Sequence, residues 1–187
     1  MIPKIIHYCW FGRGEMPKIA KKCIKSWKKY CPDYEIRRWD ESNFDAGCNG
    51  YCAAMLEKKK WAFLSDYARL KIVYENGGVY LDTDVELVKP LDDLLQNQCF
   101  MGIDTTFMVS NGLGLGAEKG NAFIKENLDF YDNINLSEQK VILNSLTDSQ
   151  RKLYFSNIEG MKLKGEILGC INRNGSKIEI ARQAYIE

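Results

Sequence analysis

The spacing of apolar and polar residues along the chain predicts strands that alternate with helices. The opening stretch IPKIIHYCWFG is an apolar run bounded by Pro3 and Gly12, and it predicts a buried strand near the start of a sheet. Residues 18–30 place apolar side chains at helical spacing opposite a row of lysines, which predicts an amphipathic helix. Pro32 ends that helix, and YEIRRWD then alternates apolar and charged residues as a second strand does.

A longer helix is predicted from the stretch WAFLSDYARLKIVYEN, residues 61–76. Apolar residues cover most of its circumference, so we expect the helix to be buried on most sides. Asp66 and Arg69 stand out against that background, three residues apart on one face and within reach of each other or of a common ligand. Gly77 then closes the helix, and Gly78 lets the chain turn tightly into the next strand.

The period changes to two after these glycines, which predicts a strand over residues 79–87. Its apolar side is expected to face the core and comprises Val79, Leu81, Thr83, Val85 and Leu87. The opposite side comprises Tyr80, Asp82, Asp84 and Glu86. The pattern further along predicts a short helix in 91–95, an apolar strand near 100–103, tight glycine loops around a short strand in FMVSNGLGLGAEKG, and a helix over 121–131.

This alternation predicts a single α/β domain over residues 1–187, with a mixed, mostly parallel central sheet flanked by helices. The composition, 45% apolar and 27% charged, is that of a folded globular chain. Because the sequence shows no run long enough to span a membrane and no signal peptide, we expect a cytoplasmic location. The seven cysteines are an odd number and are predicted to be free thiols. Cys48 and Cys52 lack the further paired ligands of a structural zinc site.

The net charge of +1 favours no particular macromolecular partner and gives no support for nucleic acid binding. Residues 1–40 nevertheless carry ten lysines or arginines against four acids. Helix 18–30 therefore has two interpretations, a peripheral contact with the inner face of an anionic membrane or a core-packed helix with a solvated lysine face. The apolar residues of this helix form a stripe of the kind that packs against a protein core, which favours the second interpretation.

The most informative motif is the pair Asp82 and Asp84, because two carboxylates on one face of a strand repel each other. Water at a sheet edge relieves that repulsion, and so does a cation. A hard divalent ion such as Mn²⁺ or Mg²⁺ takes carboxylate and phosphate oxygens, so a nucleoside diphosphate would complete its shell. Arg69 suits bidentate phosphate binding, and Asp66 is a good acceptor for ribose hydroxyls. The alternative for this second pair is an internal ion pair on the helix.

Three stretches, IPKIIHYCWFG, WAFLSDYARLKIVYENGGVYLDTDVE and SNGLGLGAEKGN, together resemble the glycosyltransferases of family 32 type with a sugar-binding DxD motif. That group includes capsular polysaccharide synthesis enzymes, fungal initiating mannosyltransferases and, distantly, the clostridial glucosylating toxins. The resemblance covers residues 1–131 and implies a GT-A, Rossmann-like fold. It also implies metal-dependent, retaining transfer from a UDP- or GDP-sugar to a glycan or lipid-linked acceptor, in capsular or cell-surface polysaccharide synthesis.

The resemblance also assigns roles to matching residues. It makes Arg69, Asp82 and Asp84 the catalytic residues, with Asp82 and Asp84 holding the metal and Arg69 contacting the donor sugar or diphosphate. Asp82 would also contact the ribose. The remaining donor-binding residues would be Trp10, stacked on the base, Ser65 and Asp66 on the ribose or sugar, Tyr80 on the diphosphate, and Asn111 on the sugar or metal side.

Residues 132–187 match no family pattern and are expected to form a divergent or shortened C-terminal region. The histidine and tryptophan that such enzymes carry near the C-terminus have no counterpart, since His7 is the only histidine and Trp61 the last tryptophan. A catalytically impaired nucleotide-sugar-binding relative is therefore an alternative. An aspartyl-phosphate phosphotransferase is a second alternative, disfavoured by Glu86 two residues after the second aspartate, and a membrane-surface binding module is a third. His7 is expected to be a structural residue.

Overall fold

The computed structural model describes residues 1–103 and 109–133. The strands in this part of the chain are β1 (Ile5–Cys9), β2 (Glu35–Trp39), β3 (Gly78–Tyr80), β4 (Cys99–Ile103) and β5 (Val109–Ala117). The helices are α1 (Lys18–Tyr30), α2 (Gly50–Glu57), α3 (Trp61–Asn76) and α4 (Ala122–Asp132), with a 3₁₀ helix at Asp92–Gln96. The predicted C-terminal region 132–187 lies outside the described residues, apart from its first two.

The five strands form one mixed sheet in the order β2-β1-β3-β5-β4. The pairs β2–β1 and β1–β3 are parallel, whereas β3–β5 and β5–β4 are antiparallel. Within the described residues, β5 therefore runs against the other four strands, which share one direction. This arrangement confirms the predicted mixed sheet flanked by helices, although only two of the four strand pairs in the described residues are parallel.

Helix α1 covers one face of the sheet with its apolar stripe. Cys23 and Trp27 are fully buried, and the Trp27 indole donates a hydrogen bond to the Val85 carbonyl at 2.8 Å. The predicted bounds and the core-packed interpretation are both confirmed. One residue of the predicted stripe is placed wrongly, because Ile19 is 53% exposed. Its neighbour Ala20 is buried, so Ile19 lies on the solvent side of the helix.

Helix α3 covers the opposite face of the sheet. Leu64, Ala68, Ile72 and Val73 are buried in a second apolar cluster that also contains β3 and β5 residues. As the sequence pattern predicted, apolar residues surround most of α3. The helix ends at Gly77, whose φ of +69° is in the left-handed region where glycine is favoured.

The strand predicted over residues 79–87 is wrong in its length. β3 ends at Tyr80, and Asp82 begins a turn in which the Val85 amide donates to the Asp82 carbonyl at 3.0 Å. The predicted polar side is also incorrect at Tyr80, which is only 1% exposed. β3 lies at the centre of the sheet, and helices cover both of its faces. Side chains on both faces of β3 are therefore buried, and alternation does not indicate which of them face solvent. The predicted burial of Leu81 and Val85 is confirmed.

The glycine-rich segment forms the nine-residue strand β5 rather than tight loops around a short strand. Asn111 therefore lies in a strand, not in a turn. The glycines of β5 serve close packing: a Cβ on Gly116 would lie 2.1 Å from the Phe100 ring. Glycine inside a strand commonly marks such a close approach.

The predicted thiol state and membrane expectation concern the whole chain, and the structure bears on part of it. The six cysteines in the described ranges, all except Cys170, are free. Neither these cysteines nor the acids and histidine of residues 1–103 and 109–133 form a group of three or more that could hold a metal ion. The helices in the same ranges are too short or too polar to cross a membrane.

His7 is a structural residue, as expected. It is fully buried in β1; its Nε2 donates to the Gly77 carbonyl at 2.8 Å, and its Nδ1 accepts from the Trp39 indole at 3.1 Å. With both nitrogens occupied in this way the ring is neutral. Burial lowers the pKa of His7 to about 4.

The free energy of unfolding should therefore fall as the pH falls from about 6.5 to about 4. An unfolded His7 takes up a proton below about pH 6.5 and the folded one only near pH 4, so acid favours unfolding by up to about 3 kcal/mol through this residue. Urea unfolding at pH 7 and pH 4 measures the loss. The variant His7→Gln retains a donor and an acceptor but does not titrate, so its loss should be smaller by about that amount. Equal losses in both proteins would contradict the assignment.

Candidate donor-binding site

The candidate site lies beyond the carboxyl ends of β1 and β3, where ligands bind in open α/β sheets. Trp10 directly follows β1, and Asp82 and Asp84 follow β3. Helix α3 borders this edge with Arg69, and the neighbouring strand β5 contributes Asn111. Helix α3, strand β5 and the segment after β3 thus meet at one place, and Trp10 follows β1 at the same edge of the sheet.

Arg69 is the centre of the site, and its side chain is 7% exposed. Its Nη2 forms an ion pair of 2.8 Å with Oδ1 of Asp66 and one of 3.4 Å with Oδ1 of Asp82. Its Nη1 donates to Oδ1 of Asn111 at 2.7 Å, and its Nε donates to the Ser65 carbonyl at 3.2 Å. Burial acts to lower the pKa of Arg69, but the acidic groups around it outweigh burial and raise the pKa above its ordinary value.

Tyr80 lies beneath the guanidinium and holds Asp82. Its hydroxyl donates to Oδ1 of Asp82 at 2.9 Å, and its ring centre is 5.2 Å from the Arg69 guanidinium carbon. Burial raises the pKa of Tyr80 well above its ordinary value, so the phenol remains a neutral donor. Because Tyr80 has almost no exposed surface, the structure places it behind Asp82 instead of in an open position facing a diphosphate.

The two aspartates of the motif have different surroundings. Asp82 is half-buried, and Tyr80 and Arg69 stabilise its charge. Asp84 is exposed and forms neither an ion pair nor a side-chain hydrogen bond with any residue in 1–103 or 109–133. The charge repulsion that the motif implies is therefore relieved by Arg69 at one aspartate and by solvent at the other.

These two carboxylates fit a hard divalent cation. Their oxygens are the ligands that Mn²⁺ and Mg²⁺ prefer, and Asp84 has no competing partner among the described residues. No third acid, thiol or imidazole in that part of the chain completes a metal-binding group. Further ligands would have to be oxygens of a bound diphosphate or water.

The remaining predicted donor residues divide into two groups. Ser65, Asp66 and Asn111 all contact Arg69, and Ser65 Oγ also donates to the Ala62 carbonyl at 2.7 Å. Trp10 is half-buried, and its indole donates to the Gly14 carbonyl at 2.8 Å, which fixes the ring against its own loop. Arg69 and the residues that contact it form one group, the Arg69 cluster: Ser65, Asp66, Tyr80, Asp82 and Asn111. Within the described residues, no hydrogen bond or ring contact joins Trp10 to this cluster.

Two residues of the site were missed by the sequence interpretation. Cys9 lies next to Tyr80, and burial raises its pKa to about 12, so it is an inert thiol of the core. No signal in the sequence distinguishes it from the remaining cysteines. Gly112 contacts Asp82, and the signal for it was available: a glycine beside Asn111, inside an apolar alternation, indicates a close approach by a neighbouring group.

The described part of the chain has the GT-A fold. The structure is similar to PaToxG glycosyltransferase, with a TM-score of 0.56 and 18% identity, over 98% of this chain and 84% of that one. It is also similar to the UDP-bound glycosyltransferase domain of the YGT toxin, with a TM-score of 0.50 and 12% identity, over 87% of this chain and 68% of that one. At these identities the similarity establishes the fold.

The sequence is similar to a known family. Residues 17–101 match the family described as glycosyltransferase sugar-binding region containing DXD motif. The expected resemblance is confirmed. Inositol phosphoceramide mannosyltransferase 3 of Schizosaccharomyces pombe is 32% identical over 66% of this chain and 35% of its own length. An uncharacterized glycosyltransferase of Acanthamoeba polyphaga mimivirus is 32% identical over 51% of this chain and 40% of its own length. The chain thus spans well under half of these relatives.

Removal of the Arg69 charge should destabilise the fold. Arg69→Ala leaves Asp66 and Asp82 without their common cation, and because these carboxylates keep part of their hydration, the loss of the hydrogen-bonded charge costs about 1–3 kcal/mol. Urea unfolding at pH 7 measures the effect. The matched control is Lys71→Ala on the same helix, whose pair with Glu75 at 2.8 Å is partly exposed and is worth less than about 0.5 kcal/mol. Similar losses for both variants would contradict the central role of Arg69.

Proposed function

We propose that the protein is a metal-dependent, retaining glycosyltransferase that transfers a sugar from a UDP- or GDP-sugar to a glycan or lipid-linked acceptor. The observation that carries the proposal is the unequal pair of aspartates: Asp82 is held by the buried Arg69, while Asp84 is open beside it. This combination offers a fixed positive charge and a free carboxylate on one edge of the sheet. Both are suited to a metal-bound diphosphate.

The metal would be held mainly by Asp84, with Asp82 as the second carboxylate. An ion bound there would supply Lewis-acid stabilisation of the leaving diphosphate. Arg69 would add its own positive charge on the same group. Asn111 and Tyr80 then act through their neighbours, since Asn111 orients Arg69 and Tyr80 orients Asp82.

The donor would lie across the surface between α3 and the loop after β1. The exposed part of Asp66 can accept hydrogen bonds from ribose or sugar hydroxyls, with Ser65 one residue before it. Trp10 would stack on the base, which requires the nucleotide to bridge the gap between Trp10 and the Arg69 cluster. Its hydrogen bond to Gly14 holds the ring in one orientation for that purpose.

We include retention of the anomeric configuration in the proposal because the charged groups of the site are suited to stabilise the leaving diphosphate. A stabilised diphosphate can itself accept the proton of the acceptor hydroxyl, so the chemistry needs no separate base. Arg69, Asp82 and Asp84 are then the catalytic residues. A role in capsular or cell-surface polysaccharide synthesis, at a cytoplasmic location, completes the proposal.

The relatives support the choice of donor and acceptor classes without deciding between them. The YGT toxin domain binds UDP, whereas the Schizosaccharomyces pombe relatives are named as inositol phosphoceramide mannosyltransferases. The first favours a uridine nucleotide, and the second favours a lipid-linked acceptor. Neither name excludes a guanosine nucleotide, so the proposal keeps both UDP- and GDP-sugars.

Hydrolysis of a panel of UDP- and GDP-sugars with and without Mn²⁺ tests the activity. We expect one donor to be cleaved in the presence of Mn²⁺ and not after chelation. Asp84→Ala should abolish Mn²⁺-dependent cleavage, and because Asp84 is exposed and unpaired among the described residues, it should leave the thermal unfolding temperature unchanged. Nucleotide binding is measured in parallel by calorimetry.

The matched control is Glu86→Ala, which removes a neighbouring exposed carboxylate that pairs with Lys22 at 2.8 Å. This variant should retain full activity. If Asp84→Ala binds the Mn²⁺–nucleotide complex as tightly as the unaltered protein, the proposed metal site is wrong. Binding without turnover in the unaltered protein would instead support the alternative of a catalytically impaired relative.

For α1, we propose a solvated lysine face and no membrane contact. Lys21 pairs with Glu15 at 3.0 Å and Lys22 with Glu86 at 2.8 Å, so two of its lysines already have anionic partners. Sedimentation with vesicles of phosphatidylserine and phosphatidylcholine at physiological salt tests the point, and the protein should stay in the supernatant. Co-sedimentation that is lost when Lys18, Lys25 and Lys28 are changed to Gln would reverse this assignment.

A further inference from the structure

Gly112 lies beside the site in a backbone conformation that does not require glycine. The described glycines with positive φ are Gly12, Gly77, Gly78 and Gly120. Gly112 lies within β5 in ordinary extended backbone. The reason for glycine at this position is therefore to be found in its surroundings.

The missing side chain leaves space that two site residues fill. A Cβ on Gly112 would lie 2.0 Å from Oδ2 of Asp82 and 2.8 Å from Nη1 of Arg69, both closer than non-bonded atoms approach. The same residue also accepts a hydrogen bond, because the Asp82 amide donates to the Gly112 carbonyl at 2.9 Å. Gly112 thus contacts Asp82 through its backbone and through the absence of a side chain.

These contacts complete the environment of the Asp82 carboxylate. Oδ1 accepts from the Tyr80 hydroxyl at 2.9 Å and faces Arg69 Nη2 at 3.4 Å, while Oδ2 lies against the β5 backbone at Gly112. Asn111, the residue before Gly112, accepts from the second terminal nitrogen of Arg69. Asn111 and Gly112, two consecutive residues of β5, therefore fix the positions of Arg69 and Asp82 relative to each other.

We propose that Gly112 is a positioning residue of the donor site, which sets where Asp82 and Arg69 stand relative to a bound metal and diphosphate. This inference rests on the function proposed above. A methyl group at position 112 must push the Asp82 carboxylate outward or the Arg69 guanidinium aside. Either movement breaks a hydrogen bond of the cluster, to Tyr80 or to Asn111, and leaves the β5 backbone in place because the crowded atoms are side-chain ends.

The first test is metal-dependent binding by Gly112→Ala. We expect its affinity for UDP or GDP in the presence of Mn²⁺ to fall at least tenfold, while its affinity for the same nucleotide without metal changes less than threefold. A general loss of structure would lower both. The matched control is Gly50→Ala at the start of α2, where an added Cβ meets nothing within 4 Å, and it should bind as the unaltered protein does. Unchanged Mn²⁺-dependent binding by Gly112→Ala would overturn the inference.

The second test is a double-mutant cycle in unfolding free energy, which needs no nucleotide. Gly112→Ala should destabilise the unaltered protein more than it destabilises an Asp82→Ala background, because the nearer of the two groups that the methyl crowds, the Asp82 carboxylate, is then gone and only Arg69 remains. Additive effects would overturn the inference. If Gly112→Ala alone does not fold, folding of the double variant supports the inference and its failure to fold overturns it.

The two tests separate this inference from the function on which it rests. If the unaltered protein binds neither UDP nor GDP with Mn²⁺, the proposed function fails, whereas the cycle still reports whether Gly112 sets the position of Asp82. If the unaltered protein binds but the cycle shows no coupling, the inference fails and the proposed function stands.

Discussion

The ion pairs of Arg69 are the interaction on which the site depends. A guanidinium whose side chain is only 7% exposed needs compensation for its lost hydration, and Asp66 and Asp82 supply it at 2.8 and 3.4 Å. The ion pair also stabilises Asp82. Without Arg69, the Asp82 carboxylate would lie against a buried tyrosine and a strand backbone with no positive charge beside it. The arginine therefore stabilises the first aspartate of the motif before any ligand is present.

This arrangement explains how the fold tolerates two aspartates so close in sequence. The turn that begins at Asp82 takes Asp84 away from the face of β3 and into solvent, so the two carboxylates differ in their surroundings. Asp82 has its charge balanced by the protein and Asp84 by water. The repulsion between the two carboxylates is thus relieved, and a cation bound at Asp84 would displace only water.

Much of the fold, and the polar residues that the structure places around Arg69, could be predicted from the sequence for identifiable reasons. Helices α1 and α3 were predictable because each carries a long periodic pattern, and Asp66 and Arg69 because charges stand out in an apolar helix. The end of β3 at Tyr80 was not predictable, since alternation continues through residue 87 while the hydrogen-bonding partners of the strand do not. Nor was the burial of Tyr80, which depends on β3 being central in the sheet. The role of Gly112 depends on its neighbours in space, and one sequence does not specify those.

The rigidity of the site follows from where its residues are attached. Arg69 is in the middle of a buried helix, Tyr80 in the central strand and Asn111 in the strand next to it, so the groups that fix Asp82 belong to the core of the sheet. Preorganised charge in such a position costs little reorganisation when a ligand binds. Trp10 and Asp84, by contrast, lie on segments that follow the strands. The Trp10 ring is held within its own loop by the hydrogen bond to Gly14, whereas Asp84 has no side-chain partner among the described residues. The groups that would hold the diphosphate are therefore fixed by the core, and the carboxylate that would bind the metal is the one left to adjust.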